Sequence, residues 1–341
     1  MLRLAMGSRG VGIKDVARAA GVSTTTVSHA LSGKGRLPEA TRERVRRVAH
    51  DMGYRPSAVA RGLAAGRTGV LGIAFSVPDV LVTGFLDIPW YTTIVNAATQ
   101  RAMRDGYALV VVPPVAGPEV WGRLPLDGTI VVEPIADDPN LPEIAAYGVR
   151  LVSVGRPPGA DGWWVDNDNP AAVRETLDLL RDRGARRVAL ASVAWPTAWR
   201  AEATAAYRRW CDDSGVRPRI VEFATPEPAD ARRGLAALLD GPDRPDAVFS
   251  LYERLGSGLS ELARERGIRV PQELLLISAG DDGSGQRCEP PLSTLDFDPV
   301  ALGGTAAKLL IDLVEGREPH ERSLLLPARI VEGGSSSGLV P

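Results

Sequence analysis

One short segment of the chain combines residue types and spacing that predict contact with DNA. Val22-Ser-Thr-Thr-Thr-Val-Ser-His29 is rich in threonine, which weakens a helix because its branched side chain loses χ1 freedom. At about 100° per residue, a helix would gather four polar side chains on one face, namely Thr24, Thr25, Ser28 and His29. Hydroxyls and an imidazole near a helix N-terminus can reach base edges and phosphates in a major groove. The segment therefore predicts a recognition helix, and the alternative is an ordinary helix with a solvated polar face.

Two further helices are expected to position this segment. The apolar spacing predicts a first helix over residues 14–20, a turn at Gly21 and a second helix capped by Ser23. A third helix is predicted to have Pro38 in its first turn and to end at Gly53. We assign residues 10–55 to this helix-turn-helix headpiece. Its expected core comprises Val16, Ala17, Ala20, Val27, Leu31, Thr41, Val45, Val48, Ala49 and Met52.

The next segment, residues 56–67, predicts a hinge helix that forms only when it is held. Ser57 is a candidate N-cap, and the residues after it give one or two amphipathic turns. A helix this short is marginal in water by itself. We therefore expect a linker that becomes ordered on contact with a partner.

Both segments resemble the lactose/galactose-repressor family of transcriptional regulators. Val22 to His29 and Pro56-Ser-Ala-Val-Ala-Arg61 are most similar to its purine-repressor members. In that family the headpiece reads the major groove, and paired hinge helices of a dimer insert a leucine into a central pyrimidine–purine step from the minor groove. Such steps unstack at low cost, so an apolar wedge can bend the duplex.

The resemblance implies roles for individual positions. It places Leu63 in the minor groove, Thr26 and Tyr54 at the DNA backbone with Ser28 close to it, and the following side chains in the major groove: Thr24, Thr25, Ser28, His29 and Arg36. Two positions depart from the family. Ala64 replaces a lysine that helps the purine-repressor members read the minor groove, so we expect a different operator sequence. Gly12 replaces a threonine cap, so we expect the first helix to begin less firmly.

Charge is distributed unevenly along the chain. Residues 1–67 contain 13 basic and 4 acidic residues, a net charge of +9, whereas the rest of the chain carries −11. A positive end can neutralise phosphates and makes DNA binding salt-dependent, while an acidic remainder discourages indiscriminate adhesion to nucleic acid. A basic membrane-surface helix is the alternative, but the apolar face that it needs is absent from the sequence.

Length and composition predict a large core behind the headpiece. A chain of 341 residues suggests two or three domains, and a hydrophobic content of 44% can fill a sizeable core. The opening residues are too few for a secretory apolar region, and no apolar run approaches roughly 18 residues, so we expect a cytoplasmic protein. Cys211 and Cys288 do not imply a disulfide framework, and with three histidines they form no metal-ligand pattern. We expect neither a metal nor another cofactor.

From residue 69 onward, short β-rich apolar runs alternate with helical patterns. This alternation predicts an α/β core of parallel sheets with helices on both faces. The predicted strands are residues 70–75, 108–112, 128–133, 151–154, 187–191, 247–251 and 274–278. The predicted helices are residues 91–104, 171–183, 199–214, 230–239 and 254–266.

The family resemblance extends over this region through looser motifs, which are Val165-Asp-Asn167, Arg269-Val-Pro271, Asp281-Asp282 and Pro290-Pro-Leu-Ser-Thr294. It implies a two-lobed, type I periplasmic-binding-protein-like core of two parallel-sheet subdomains. The chain is then expected to cross between the lobes near residues 167, 297 and 327. We assign residues 68–333 to an effector-binding and dimerisation core. Residues 334–341, rich in Gly and Ser, predict a disordered tail or the remainder of an expression tag.

The cleft between the lobes is the expected binding site for a small-molecule effector, because ligands of open α/β sheets bind beyond the carboxyl ends of strands. Flat aromatic rings beside polar groups suit a sugar or a nucleobase, although each tryptophan could instead plug the lobe interface. The candidate residues are Trp90, Trp164, Asp166, Trp195, Trp199, Arg200 and Asp281. Ala203 and Gly155 stand where the family commonly has a ligand-gripping arginine and an aspartate, so a purine effector does not follow from the resemblance.

Two other classes of function were compared with the regulator. Gly66, Gly69 and Gly72 have a spacing that resembles a dinucleotide loop, but they precede and interrupt a strand instead of linking a strand to a helix, so the sequence does not predict a dinucleotide-binding enzyme. Asp166, Asp281 and Asp282 could transfer protons, yet no nucleophile elbow or phosphate loop accompanies them. A solute-binding receptor is the remaining alternative, but such a receptor does not require a DNA-binding headpiece.

The sequence as a whole predicts a transcriptional regulator, specifically a repressor, rather than an enzyme. It would bind a pseudo-palindromic operator in double-stranded DNA as a homodimer, with no membrane partner. An effector in the cleft would change the angle between the lobes and thereby the stability of the hinge helices. No heptad pattern follows the core, so a coiled-coil tetramer is not predicted.

Overall fold

The computed structural model of the chain describes residues 11–32, 36–54, 67–76, 85–113, 117, 119–225, 228–280, 283–317 and 319–339. The chain divides after Thr68 into two compact units, which are described separately below. The predicted hinge helix with Leu63, and the pair Asp281 and Asp282, lie outside the described residues. Among the described residues, no helix is long and apolar enough to span a bilayer. The same residues contain no group of three or more His, Cys, Asp or Glu side chains that could hold a metal ion.

The first unit is a three-helix domain built from α1 (Ile13–Ala20), α2 (Thr24–Ser32) and α3 (Glu39–Asp51). Each helix packs against the other two. Their shared core consists of Val16, Ala17, Ala20, Val27, Ala30, Val45 and Ala49, with Leu31, Val48 and Met52 half-buried at its margin. This confirms most of the predicted core, while Pro38 is the residue before α3 rather than its first residue.

Local contacts define both ends of α1. Gly12 has no side chain to cap the helix, but the Asp15 carboxylate accepts a hydrogen bond from the Gly12 N–H at 3.0 Å, which supplies one of the two contacts of a capping box. At the other end, Gly21 adopts φ 65°, a left-handed conformation that glycine accepts without strain. The Val22 N–H then donates to the Ala17 carbonyl at 3.0 Å and closes the turn that directs α2 across α1.

The second unit contains two six-stranded sheets with helices between the strands. Its strands are β1 (Val70–Phe75), β2 (Ala108–Val111), β3 (Gly128–Val132), β4 (Arg150–Val154), β5 (Trp164–Asn167), β6 (Val188–Val193), β7 (Ile220–Phe223), β8 (Ala247–Ser250), β9 (Leu275–Ala279), β10 (Ser293–Asp296), β11 (Ser323–Leu326) and β12 (Arg329–Val331). Its helices are α4 (Pro89–Arg104), α5 (Val120–Arg123), α6 (Asn140–Ala146), α7 (Asn169–Asp182), α8 (Ala198–Ser214), α9 (Pro228–Asp240), α10 (Glu253–Glu265) and α11 (Pro299–Val314).

The strand order defines two lobes. The first sheet has the order β11-β5-β4-β3-β1-β2 and is parallel throughout, and the second has the order β12-β10-β9-β8-β6-β7 with β12 antiparallel to β10. All residues of β3, β6 and β9 are buried, as expected for parallel strands covered by helices on both faces. These sheets confirm the predicted α/β class with two parallel-sheet subdomains.

The chain passes repeatedly between the two lobes. It leaves the first sheet after β5, and the next strand, β6, belongs to the second sheet. It returns after β10, because α11 packs along α4 and against β3 and β4 of the first lobe. It crosses again between β11 and β12, which belong to different sheets. The lobes are therefore connected by several chain segments that lie near one another in the fold.

The strands and helices predicted for this unit are present, with ends displaced by at most two residues. The sequence patterns missed β5, β7, β10, β11, β12, α5, α6 and α11. Most of the missed strands are four residues long or shorter and carry polar residues, as in Trp164-Val-Asp-Asn167. Such short, mixed segments have no clear alternation or apolar run to identify them.

The predicted disordered tail is wrong over residues 334–339. Residues Gly334–Ser336 form a 3-10 helix, and Ser335 and Ser336 are completely buried. The Ser335 hydroxyl donates to the Leu276 carbonyl at 2.6 Å and accepts from the Ser293 N–H at 2.8 Å. A Cβ atom at Gly333 would lie 2.4 Å from the Pro291 carbonyl oxygen, so only glycine allows this approach. Composition suggested disorder, but specific hydroxyl contacts attach the segment to the second lobe.

Two adjacent glycines of α11 provide a matched test of the packing of α11 against α4. A Cβ atom on Gly303 would lie 2.5 Å from the Ile94 carbonyl oxygen, whereas one on Gly304 would meet no atom within 4 Å. We expect Gly303→Ala to lower the free energy of unfolding by about 1–3 kcal/mol through overpacking. Gly304→Ala should instead raise it by about 0.5–1 kcal/mol, because alanine favours a helix. Urea denaturation of the full-length variants measures both, and equal stabilities would contradict the close approach of α11 to α4.

Candidate nucleic-acid interface and effector cleft

The N-terminus of α2 is fixed by a serine cap. The Ser23 hydroxyl accepts a hydrogen bond from the Thr26 N–H at 3.1 Å and lies 2.9 Å from the Thr26 hydroxyl. The Val27 N–H donates to the Ser23 carbonyl at 3.0 Å, so regular helix begins at Thr24. The cap confirms the predicted start of the second helix and orients the side chains of its first turns.

The two faces of α2 separate in the way that the helical spacing predicts. Val27 and Ala30 are completely buried in the headpiece core. On the other face, Thr24, Thr25 and His29 are exposed, and Thr26 and Ser28 are half-buried. Beyond α2, Arg36 is exposed and Tyr54 packs against the headpiece core. The polar face is thus free for contact with a partner, and the DNA roles of these side chains stay predictions.

The same unit carries several exposed basic side chains. The exposed ones among the described headpiece residues are Lys14, Arg18, Arg36, Arg44, Arg46 and Arg47. Arg18 lies 3.7 Å from Asp15 but is 81% exposed, so its charge is only weakly compensated. A small domain with this surface charge is suited to a polyanion such as the phosphate backbone.

In the second unit, the parallel register aligns four strand ends of the first lobe. Phe75 of β1, Val132 of β3, Val154 of β4 and Val165 of β5 are successive register partners. The residues one step further along the chain therefore form a row across the sheet: Ser76, Glu133, Gly155 and Asp166. Two carboxyl groups, Glu133 after β3 and Asp166 in β5, consequently lie on either side of β4 toward the carboxyl ends of the strands, where α/β proteins bind ligands.

Glu133 lies on this row in an unusual backbone conformation. Its φ is 53°, which is rare for a residue with a side chain and marks functional or strained positions. The Tyr91 hydroxyl donates a hydrogen bond to its carboxylate at 2.6 Å, and the Tyr91 ring packs edge-on against Trp90, with centroids 5.0 Å apart. Burial raises the pKa of Glu133; the Tyr91 hydrogen bond opposes this shift, and the nearby Asp166 charge adds to it.

Asp166 is buried beside several polar groups. The backbone N–H groups of Asn167 and Arg156 donate to its carboxylate at 2.8 Å and 3.0 Å. Burial nevertheless raises the pKa of Asp166 to about 6; these two hydrogen bonds oppose the rise, and the Glu202 charge adds to it. The group therefore changes its charge close to neutral pH, unlike an exposed aspartate.

A guanidinium group lies at the same strand ends. Arg156 follows β4 and forms an ion pair with Glu202 of α8, with 3.0 Å between Nη1 and Oε1. Its guanidinium carbon lies 5.0 Å from the centre of the Trp164 ring, a cation–π geometry. Asn169, in the first turn of α7, donates to the other oxygen of Glu202 at 3.1 Å. The cluster thus combines residues from both lobes.

The second lobe contributes aromatic pairs and a separate ion pair. Trp195 packs edge-on against Tyr252, and Trp199 against Phe297, with ring centroids 5.2 Å and 4.8 Å apart. The Trp199 Nε1–H donates to the Leu251 carbonyl at 3.3 Å, which fixes the indole. Arg200 donates from Nε to Glu222 at 2.9 Å, and its Nη2 lies 2.7 Å from the same oxygen, so a carboxylate of β7 already compensates its charge.

The structure brings together some of the predicted effector residues. Trp164 and Asp166 lie in the Arg156 cluster, and Trp90 joins the same strand ends through Tyr91. Trp195 and Trp199 form separate aromatic contacts in the second lobe, and Asp281 is outside the described residues. Sequence reasoning missed Tyr91, Glu133, Asn169, Arg156 and Glu202. The position of Glu133 at the end of a predicted strand could have identified it, whereas the pairing of Arg156 with Glu202 depends on how the lobes fold together.

The raised pKa of Asp166 makes a testable contribution to stability. Because its pKa in the folded chain, about 6, exceeds the ordinary aspartate pKa of 3.8, the folded state binds this proton more tightly than the unfolded chain does. The linked stability is fully present at low pH and is lost as the pH rises through about 6. Between about pH 7 and pH 5, wild type should therefore gain roughly 1 kcal/mol more than Asp166→Asn. Urea unfolding at both pH values checks this, and parallel pH dependences would show that Asp166 titrates normally.

Comparison with known proteins identifies both units. The model of bacterial regulatory proteins of the lacI family matches residues 12–57, and that of the periplasmic binding protein-like domain matches residues 177–336. The transcriptional regulator CelR of Thermobifida fusca is 27% identical over 330 residues, covering 94% of this chain and 96% of its own length.

Two solved structures share the fold. The structure of a CelR–cellobiose complex is 24% identical, with a TM-score of 0.70 over 95% of this chain and 99% of its own. A lac repressor dimer bound to operator and an anti-inducer is 22% identical, with a TM-score of 0.80 over 97% and 100%. The two family-model matches and the likeness to CelR confirm the predicted resemblance and support a regulatory protein rather than an enzyme. Over both units the chain is similar to bacterial regulatory proteins of the lacI family.

Proposed function

We propose that this protein is a transcriptional repressor that recognises a DNA operator through α2. The observation that carries the proposal is the exposed face of Thr24, Thr25 and His29 on a helix whose opposite face is completely buried. Such side chains can hydrogen-bond base edges, while the exposed basic residues of the same unit neutralise phosphates. Ser28 and Arg36 complete the proposed major-groove set, and Thr26 and Tyr54 contact the backbone.

The proposal includes a homodimer on a pseudo-palindromic site. It is supported by the likeness to a lac repressor dimer described as bound to operator. Two headpieces related by a twofold axis would read two half-sites, and residues 56–67 of each chain would form the hinge helices. In this arrangement Leu63 enters the minor groove between them, where an apolar wedge bends the duplex. Action on chromosomal DNA implies a cytoplasmic location.

The predicted effector-binding core, residues 68–333, would bind the effector that controls this activity. Trp90, Trp164 and Asp166, with Glu133 beside them, offer flat rings and hydrogen-bond acceptors at the carboxyl ends of the first sheet. Trp195, Trp199, Arg200 and Asp281 would contribute from the second lobe. This chemistry suits a sugar or a nucleoside, and the relative described as a CelR–cellobiose complex supports the sugar class. Ligand binding would shift the population of lobe arrangements and thereby the hinge.

Selection of genomic DNA tests the proposed function directly. Purified full-length protein is incubated with sheared genomic fragments, and the retained fragments are sequenced. We expect enrichment of a few sites that share two inverted half-sites, because each protomer of a twofold dimer reads one of them. A retained pool with the sequence composition of the input would contradict operator recognition.

A histidine substitution tests base reading by α2. We expect His29→Ala to weaken binding to the selected operator by about 1–3 kcal/mol while affinity for unrelated duplex changes little, because base contacts carry sequence specificity and phosphate contacts do not. His50→Ala is the matched control, since His50 is 90% exposed at the end of α3. Fluorescence anisotropy with both duplexes measures the difference. An equal loss for operator and unrelated DNA would exclude base reading by His29.

A further inference from the structure

An ion pair joins the two lobes close to a point where the chain crosses between them. Arg156 follows β4 of the first sheet, and Glu202 lies on α8, which packs against α7 and β6 of the second lobe. Their side chains approach to 3.0 Å and are 32% and 18% exposed. A partly buried pair of this kind is screened less by salt than a surface pair, so its attraction is retained at physiological ionic strength.

Both partners are held by further contacts. The Arg156 guanidinium stacks over Trp164 of β5 at 5.0 Å, and the Arg156 N–H donates to Asp166 at 3.0 Å. Among the described residues, the buried Arg156 Nε has no hydrogen-bond acceptor. The ion pair with Glu202 is made through Nη1 of the same guanidinium. On the other side, Asn169 at the β5–α7 crossing donates to Glu202 at 3.1 Å. The pair is therefore fixed to the sheet on one side and to the crossing on the other.

The charges around the pair are unequal. Asp166 and Glu202 place two carboxyl groups near the single guanidinium of Arg156. Asp166 and Glu202 repel each other, and this repulsion contributes to the raised pKa of Asp166. The contact between the lobes thus combines the attraction of Arg156 for Glu202 with the repulsion between Asp166 and Glu202. A change in the charge of any of these groups alters the force between the lobes.

We propose that Arg156 and Glu202 are positioning residues that hold the two lobes at one relative angle in the absence of effector. This inference rests on the proposed function, in which the lobe angle controls operator binding. The ion pair lies at the same strand ends as the proposed effector site. A bound ligand would therefore act on a lobe angle that Arg156 and Glu202 already hold. The family-typical arginine and aspartate positions hold Ala203 and Gly155 here, and the ion pair uses the residue beside each of them.

The lobe angle can be measured directly in the full-length protein. Labels are attached at Tyr147→Cys in the first lobe and Arg209→Cys in the second, both exposed positions, with Cys288→Ser present throughout. Labelled protein is mixed with a large excess of unlabelled protein, so that an oligomer carries at most one labelled chain. We expect Glu202→Gln to broaden the distance distribution between the labels and move its centre, and Arg156→Gln to do the same.

A second ion pair provides the control. Arg266 and Asp240 approach to 2.5 Å, with 26% and 55% exposure, but both belong to the second lobe and lie outside the proposed effector site. Arg266→Gln should therefore leave the label distance unchanged, even where stability falls. The double variant Arg156→Gln with Glu202→Gln should move the distance no further than the larger single effect, because both changes break the same contact. The proposal would be overturned if Glu202→Gln and Arg156→Gln both left the label distance at the wild-type value. Native circular dichroism of both variants would show that they are folded.

Operator affinity separates this inference from the proposed function. With the duplex selected above, we expect Glu202→Gln to change affinity by about tenfold, equivalent to about 1.4 kcal/mol, and Arg266→Gln to change it little. A moved label distance in a protein that retains no DNA would refute the proposed function and keep the positioning role. A moved label distance with unchanged operator affinity would refute the coupling between lobe angle and DNA binding.

Discussion

The parallel register of β1, β3, β4 and β5 is the constraint on which the candidate effector site depends. The register aligns Phe75, Val132, Val154 and Val165, so the residue after each of them joins a common row. Glu133 and Asp166 thereby lie in one row, burial raises the pKa of both, and the Asp166 charge adds to the rise at Glu133. Arg156, which follows β4, partly offsets the rise at Asp166, and Glu202 reaches the same guanidinium from the other lobe. The sheet geometry therefore determines which charges meet, and those charges connect the lobes.

The headpiece separates packing from recognition on the two faces of a single helix. Val27 and Ala30 fix α2 in the core, and the Ser23 cap fixes its start, so the exposed side chains are presented on a rigid element. Preorganisation of this kind lowers the entropy cost of binding. Charge is also divided along the chain, with a net charge of +9 in residues 1–67 and −11 in the remainder. The same chain can thus attract DNA at one end and discourage unspecific adhesion elsewhere.

Much of this structure could be predicted from sequence, and the failures have physical causes. The β1 limits, the turn at Gly21 and the headpiece core follow from local apolar spacing and backbone preferences. The strand Ser293–Asp296 could not be recognised because it is short and three of its four residues are polar. Gly333 to Ser336 looked disordered because composition does not reveal tertiary hydrogen bonds. Within the candidate site, Asp166 was foreseen but the contact of Arg156 with Glu202 was not, since 45 residues of folded chain separate them.

Under the proposed function, the basic headpiece with its polar face must distinguish a specific operator from other DNA. Anisotropy titrations of full-length protein over a salt series, with the selected operator and a shuffled duplex of equal composition, measure this preference. We expect the logarithm of each association constant to fall linearly with the logarithm of salt concentration, because phosphate contacts release counterions. We also expect the operator to remain preferred at every salt concentration. Equal affinity for both duplexes throughout, or no binding at low salt, would rule out operator recognition by the headpiece.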